Sequence, residues 1–244
     1  MNEINSVSHY CGGILISNQW VLSAAHCLED YIPDNFIVRL GAHSIQTDFE
    51  ENAIDIPVEA IIIHNNYSFP RPYDNDIALL KSVKQIVYDL QNLLKSDDPN
   101  KHDIQTALMN RYDFMSTDGI RVMGTVVGWG WLKDSDNNQE ENLGDILQKV
   151  KVPIISNKEC QEWYRSRGRS LTVSPTQFCA GFLEGGRDSC RGDSGGPLVV
   201  RDAKVYHLIG IVSAGIGCAL PKLPGLYTRV DAYINWMNRY VDPI

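Results

Sequence analysis

No stretch of the 244-residue chain is apolar for the roughly 20 consecutive residues that a membrane-spanning helix needs. The opening MNEINSVSHYCGG has no basic region followed by an apolar one, so no secretory leader is visible there. Positive charge is scarce: 22 Lys and Arg stand against 30 Asp and Glu, a formal net charge of −8. That deficit argues against nucleic-acid or membrane-surface binding and tilts partner choice toward cations. None of the six cysteines forms a CxxC pair, which speaks against a zinc knuckle or a thioredoxin-like motif. His43, His64, His102 and His207 show no metal-ligand spacing with one another, so packing or surface roles are expected of them, with no metal and no cofactor. Internal repeats and low-complexity tracts are also missing.

What remains is a chain that is 43% hydrophobic and 21% charged, enough for a large core in one or two domains. An even cysteine count favours disulfides and an oxidising compartment, with connectivity left open by composition. Short β-rich runs bounded by turn residues dominate: GILIS, WVLSA, FIVRLG, AIDIPVEAIII, DIALL, RVMGTVVGWG, LQKVKVPII, PLVV, VYHLIGIV and GLYTRV. Many short strands in a chain this long predict an all-β barrel or sandwich. Two helices are expected. One follows a cap at Ser156 or Asn157, and the other is terminal from about Asp231, with Tyr233, Ile234, Met237 and Val241 at helical spacing. The segment 81–118 lacks clean alternation and reads as a linker between two β halves.

Three separated stretches carry chemistry: VLSAAHC with His26, YDNDIALL with Asp76 and GGRDSCRGDSGGP with Ser194. A serine hydroxyl is a poor nucleophile until a neutral imidazole takes its proton, and a carboxylate keeps that imidazole in the right tautomer. Glycines flanking Ser194 allow a tight turn that aims backbone N–H groups at a developing oxyanion. AAHC, DIALL and GDSGGP stand in the order and spacing of the trypsin-like serine peptidases of the chymotrypsin family. The flanking CGGILIS, VVGWG, GFLEGGRDSC and GCALPKLPGLYTRV match as well, so the chain resembles that family from about Ile4 onward, the linker excepted.

The resemblance implies two packed antiparallel six-stranded Greek-key β-barrels with a C-terminal helix. These would form one peptidase domain over 1–244, with halves at about 1–115 and 116–244. It makes His26 the general base, Asp76 its orienting carboxylate, Ser194 the nucleophile, and the N–H groups of Gly192 and Ser194 the oxyanion hole. Ser213 would support Asp76. Asp188, flanked by Ser189, takes the floor of the specificity pocket, and Gly215 and Gly225 take its open walls, which implies cleavage after Arg or Lys. The implied disulfides are Cys11–Cys27, Cys160–Cys179 and Cys190–Cys218. Implied partners are protein or peptide substrates with Arg or Lys, and protein inhibitors of serine peptidases. The implied setting is extracellular, the protein monomeric.

Departures from the family pattern carry their own expectations. Active members begin with Ile-Val-Gly-Gly, whose ammonium inserts beside the aspartate matching Asp193; this sequence opens differently. Asp193 is therefore expected to swing toward water or another donor, with His9 at the position that holds it in family zymogens. Gly192 would be displaced and catalysis impaired. The alternative reading is a zymogen-locked or non-catalytic binding protein with a peptidase fold. Ala214 replaces a tryptophan, which removes an aromatic shelf for upstream substrate residues. Arg191 is expected to be solvated at the pocket mouth. Ala42, Phe49 and Asn52 leave too few oxygens for the calcium loop of vertebrate trypsins, with Glu50 and Glu51 solvated. Asn66-Tyr67-Ser68 is a glycosylation sequon, usable only in the secretory pathway.

Overall fold

The computed structural model describes residues 8–46, 50, 53–84, 121–132, 143–202 and 205–241. Five strands come first: β1 (Ile14–Leu15), β2 (Trp20–Ser23), β3 (Ile37–Leu40), β4 (Ile54–Ile63) and β5 (Ala78–Ser82). They form an antiparallel sheet ordered β1-β2-β5-β4-β3. Six more follow: β6 (Met123–Gly128), β7 (Gln148–Ile155), β8 (Gln177–Ala180), β9 (Pro197–Asp202), β10 (Val205–Ala214) and β11 (Gly225–Arg229). These close into a barrel ordered β10-β11-β8-β7-β6-β9. The second half is the expected closed barrel. The first half differs from the expectation of six strands: among the described residues it is a five-stranded sheet. Its edge strand β1 is two residues long, and the chain just before it turns to the Ser194 loop, where Gly12 N–H donates to the Ser194 carbonyl at 2.7 Å. The junction between the halves, 85–120, lies outside the described residues.

Period-two burial drives the sheets. Along β4 the solvent side carries Asp55, Pro57 and Glu59, while Ile56 and Val58 turn inward. The first core gathers Ile16, Leu22, Ile56, Ile77 and Leu79, and it also takes Leu208 and Ile211 from β10 and Trp236 and Met237 from the chain end. Each fully buried side chain of this size contributes roughly 1.5–3 kcal/mol. The barrel core stacks Phe178 on Tyr227, ring centroids 5.5 Å apart. It leaves room for no side chain at Gly210, where a Cβ would come within 2.6 Å of the Phe178 ring.

Helix α1 (Asn157–Ser166) starts where the capping signal placed it, with the Ser156 hydroxyl accepting from Glu159 N–H. The terminal helix is shorter than expected: a 3-10 turn, Val230–Tyr233, precedes a one-turn α2, Ile234–Met237. Tyr233, Met237 and Val241 are buried at its base, as the helical spacing required. The three disulfides are Cys11–Cys27, Cys160–Cys179 and Cys190–Cys218.

Candidate active site

His26 sits on the 3-10 turn Ala25–Cys27 that follows β2, pinned by the Cys11–Cys27 disulfide. Asp76, fully buried, precedes β5. Its carboxylate accepts from His26 N–H at 2.9 Å and lies 2.8 Å from His26 Nδ1. A carboxylate accepting there calls for the proton on Nδ1, which leaves Nε2 as the ring nitrogen not engaged by Asp76. The Ser213 hydroxyl donates to the same carboxylate at 2.5 Å. A register shift between Val212 and Ala214 releases Ser213 from the β10–β11 ladder and turns it to that task. Cys11, Cys27 and His26 converge within metal-ligand distance, but both sulfurs are consumed by the disulfide.

The Ser194 loop is threaded against the His26 segment. A Cβ on Gly195 would collide with Ser23 Oγ and the Gly12 carbonyl, and φ there is +78°, so glycine is required. Among the described residues the Ser194 hydroxyl makes no hydrogen bond. Such bonds are commonly long without substrate and tighten when it binds. Trp131 N–H donates to the Arg191 carbonyl at 2.8 Å. In a trans peptide the next N–H points the opposite way, so Gly192 N–H faces away from Trp131. Neither it nor Ser194 N–H donates to any described group.

Asp193 meets other donors, but not His9. Its carboxylate accepts from Gly130 N–H and Cys190 N–H, both at 2.8 Å. His9 holds the Gly192 carbonyl instead, at 2.8 Å from Nε2. Burial raises the Asp193 pKa, and the two amide bonds oppose that rise. A carboxylate satisfied by two fixed amides has no reason to turn to His9.

The pocket residues also come together. Asp188 accepts from Ser189 N–H at 2.9 Å and from Ala219 N–H at 3.3 Å. A Cβ on Gly225 would stand 3.0 Å from its carboxylate, while one on Gly215 would meet only the Gly217 carbonyl, at 3.7 Å. Ser189 bonds the hydroxyl of fully buried Tyr227 at 3.1 Å. Burial pushes the Asp188 carboxyl up to about 7, against the pull of its amide donors.

Of the groups expected to be solvated, Arg191 is exposed and Glu50 is tied to its own loop. Glu50 accepts from His43 and Ser44 N–H groups at 2.7 and 3.1 Å. The exposed Arg191 guanidinium lies 4.9 Å from the centre of the Trp131 ring. Phe49, Glu51, Asn52 and His102 lie outside the described residues. Ala42 is only partly buried and Asn66 is exposed. Sequence reasoning missed Tyr73, edge-on to His26 at 5.7 Å, and Thr228, whose hydroxyl donates to the Asp76 carbonyl at 2.8 Å. It also missed Asn75, which ties Asn66 and Phe69 together just before Asp76. Asn75 has φ of +56°, a conformation asparagine tolerates better than most, so the short polar residue in YDNDIALL was the available signal.

A five-stranded sheet and a closed barrel meeting along this seam define the class of chymotrypsin-like β proteins. The Trypsin family model matches residues 1–237. Chicken trypsin II-P29 is 38% identical over 241 residues, 98% of this chain and 82% of its own. Pig trypsin is 37% identical over 242 residues, 98% of this chain and 88% of its own. Bovine coagulation factor XI is 36% identical over 94% of this chain, which spans only 33% of that protein's length. The chain belongs to the trypsin family of serine peptidases.

Proposed function

We propose that the chain is an endopeptidase that hydrolyses peptide bonds after Arg or Lys through an acyl-enzyme on Ser194. The observation that carries the specificity is Asp188: a largely buried carboxylate with two amide donors and no basic partner among the described residues, beside a glycine that keeps the approach open. An entering guanidinium or ammonium offsets the burial that holds its pKa up, whereas a neutral side chain leaves that burial uncompensated. His26 Nε2 takes the Ser194 proton as the hydroxyl oxygen bonds to the substrate carbonyl carbon. The resulting oxyanion accepts from Gly192 and Ser194 N–H, each worth about 3–4 kcal/mol in the transition state. The proton passes from Nε2 to the leaving nitrogen, the C–N bond breaks, and the acyl group stays on Ser194. Water, deprotonated by His26, then releases the acid. Asp76 keeps the tautomer throughout.

A cavity of about 300 Å³ lined by Gly130, Gln148, Asp188, Cys190 and Asp193 suits the ammonium group with which mature family members begin. A cation there lowers the Asp193 pKa and locks Gly192, so turnover without one falls below turnover with one. The domain spans 1–244 and acts as a secreted monomer on protein substrates, open to protein inhibitors of serine peptidases. The test pairs Arg-, Lys-, Phe- and Asp-anilide turnover with labelling by an arginine-mimetic phosphonate. The expected result is Arg and Lys turnover about a hundredfold above the others and a mass shift at Ser194 that Ser194→Ala abolishes. Phe preference, or no labelling with and without an amino-terminal Ile-Val-Gly-Gly, refutes the reading.

A further inference from the structure

The chain carries a net charge of −8, yet one short stretch reverses that sign. RSRGRS, residues 165–170, ends α1 and starts the loop behind it, and all six residues are exposed. Three arginines alternate there with small residues. The backbone holds them in place. Gly168 N–H donates to the Arg165 carbonyl and Arg169 N–H to the Tyr164 carbonyl, both at 3.0 Å. Gly168 has φ of +70°, so the helix ends in a Schellman turn. The Cys160–Cys179 disulfide, and Val173 N–H donating to the Gln161 side chain at 2.9 Å, anchor the segment on both sides.

Arginines elsewhere are engaged. Arg39, Arg71 and Arg121 pair with Asp55, Asp74 and Glu159, and Arg187 and Arg191 lie over aromatic rings. The side chains of Arg165, Arg167 and Arg169 meet neither an acid nor a ring among the described residues. Glu162, exposed one turn before Arg165, is not bonded to it. A cation in the last turn faces the negative end of the helix, which gives Arg165 a local role, but Arg169 lies past that end. The surroundings narrow the partner. A Cβ built on Gly168 meets nothing within 4 Å, so the turn projects outward and encloses no small anion. A lone exposed ion pair adds little, so the ligand must carry several anionic groups on one chain. Trp163 and Tyr164 are buried, which leaves no ring for the bases of a single-stranded nucleic acid to stack on. RSRGRS has no apolar side chain to enter a bilayer. An acidic peptide needs a groove or a sheet edge, and an outward turn offers neither. A guanidinium matches the oxygens of a sulfate two at a time, and three disulfides fit an oxidising, extracellular setting.

We propose that the turn 165–170 is a docking site for a sulfated polysaccharide, which lies across the three guanidinium groups. Ser166, Gly168 and Ser170 leave room for its sugar rings between them. This role goes beyond the peptidase reading and needs no turnover.

The test titrates a heparin oligosaccharide and its desulfated counterpart onto the intact chain at several salt concentrations. The sulfated oligosaccharide should bind and the desulfated one should not. The logarithm of affinity should fall against the logarithm of salt with a slope of about −2 to −3, as three released counterions require. Arg167→Ser together with Arg169→Ser should weaken binding about tenfold at physiological salt and flatten the slope to about −1, with the thermal midpoint of unfolding unchanged. Lys149→Ser together with Lys151→Ser removes the same charge from exposed positions on β7 and should leave affinity within about twofold. No binding, equal binding of the desulfated oligosaccharide, or equal loss in the two double variants overturns the proposal. Tighter binding to polyglutamate, single-stranded DNA or phosphatidylserine vesicles overturns it as well, because each assigns the turn to another class of partner. Anilide turnover is read separately, so failure of the peptidase reading and failure of this site are distinguishable.

Discussion

Replacing Asp188 by Asn tests the pocket through stability as well as through catalysis. Burial lifts the Asp188 carboxyl from its ordinary 3.8 to about 7, a rise of about three pH units, worth at most ~4 kcal/mol at 1.36 kcal/mol each. Its partial exposure to solvent reduces this to roughly 2–4 kcal/mol. Because the folded state holds this proton more tightly than the unfolded chain, folding takes up a proton between about pH 4 and 7. Stability from this group is therefore complete below pH 4, falls as pH rises through that window, and is flat above about 7. Asparagine has nothing to titrate. The difference in unfolding free energy, Asp188→Asn variant minus wild type, should rise by roughly 2–4 kcal/mol from pH 4 to pH 8. Asp193, also raised by burial, is present in both proteins and largely cancels. Urea unfolding at several pH values with the disulfides intact reads the difference directly. An alkylguanidine ligand should show the mirror image, binding wild type more tightly as pH passes through 7 and ignoring pH with the variant. A pH-independent stability difference, or one that shrinks toward pH 8, would refute a buried, cation-seeking carboxylate.

Gly225→Val places branched carbon against the Asp188 carboxylate; Arg-anilide kcat/KM should fall at least a hundredfold, with far-ultraviolet dichroism unchanged. Gly130→Ala would push a Cβ into the Asp193 carboxylate and disturb its contact with Gly130 N–H. Steady-state kinetics should show kcat falling about a hundredfold with KM changing much less, since the oxyanion donors act in the transition state. Joint replacement of Cys160 and Cys179 by Ala opens a 19-residue separation; urea unfolding should show a loss of about 3 kcal/mol.

The strands were legible because each alternates within its own few residues, and the candidate site because its residue types sit in distinctive glycine- and cysteine-bearing contexts. Closure was not legible in the same way. Whether Gly12 N–H extends a sheet or goes to the Ser194 carbonyl depends on a partner 182 positions away, which no local pattern encodes. Glu50 read as solvated because nothing in AHSIQTDFEEN announces that the chain folds back to offer it two amides. Arg191 is exposed as expected, but its ring partner Trp131, 60 residues earlier, was not legible. Asp193 was expected to move because its charge was weighed without Gly130 N–H, which the glycines of VVGWG bring against it.

The same long-range contacts explain why neither half can carry the chemistry alone. The first supplies His26 and Asp76, yet two of the hydroxyls that fix Asp76 come from the second, Ser213 to its carboxylate and Thr228 to its carbonyl. The second supplies Ser194, whose carbonyl is tied down by Gly12 from the first. Gln177 on β8 reaches the Tyr73 carbonyl at 2.8 Å, and Tyr233 before α2 reaches Asn75 at 2.9 Å, so the second half clamps the loop carrying Asp76 at two points. A shift of about 1 Å along this seam is enough to cost catalysis while both cores stay packed. Loss of activity should therefore precede loss of either fold when the seam is loosened, and Gln177→Leu, buried beside Tyr73, should lower kcat before it lowers the midpoint of unfolding.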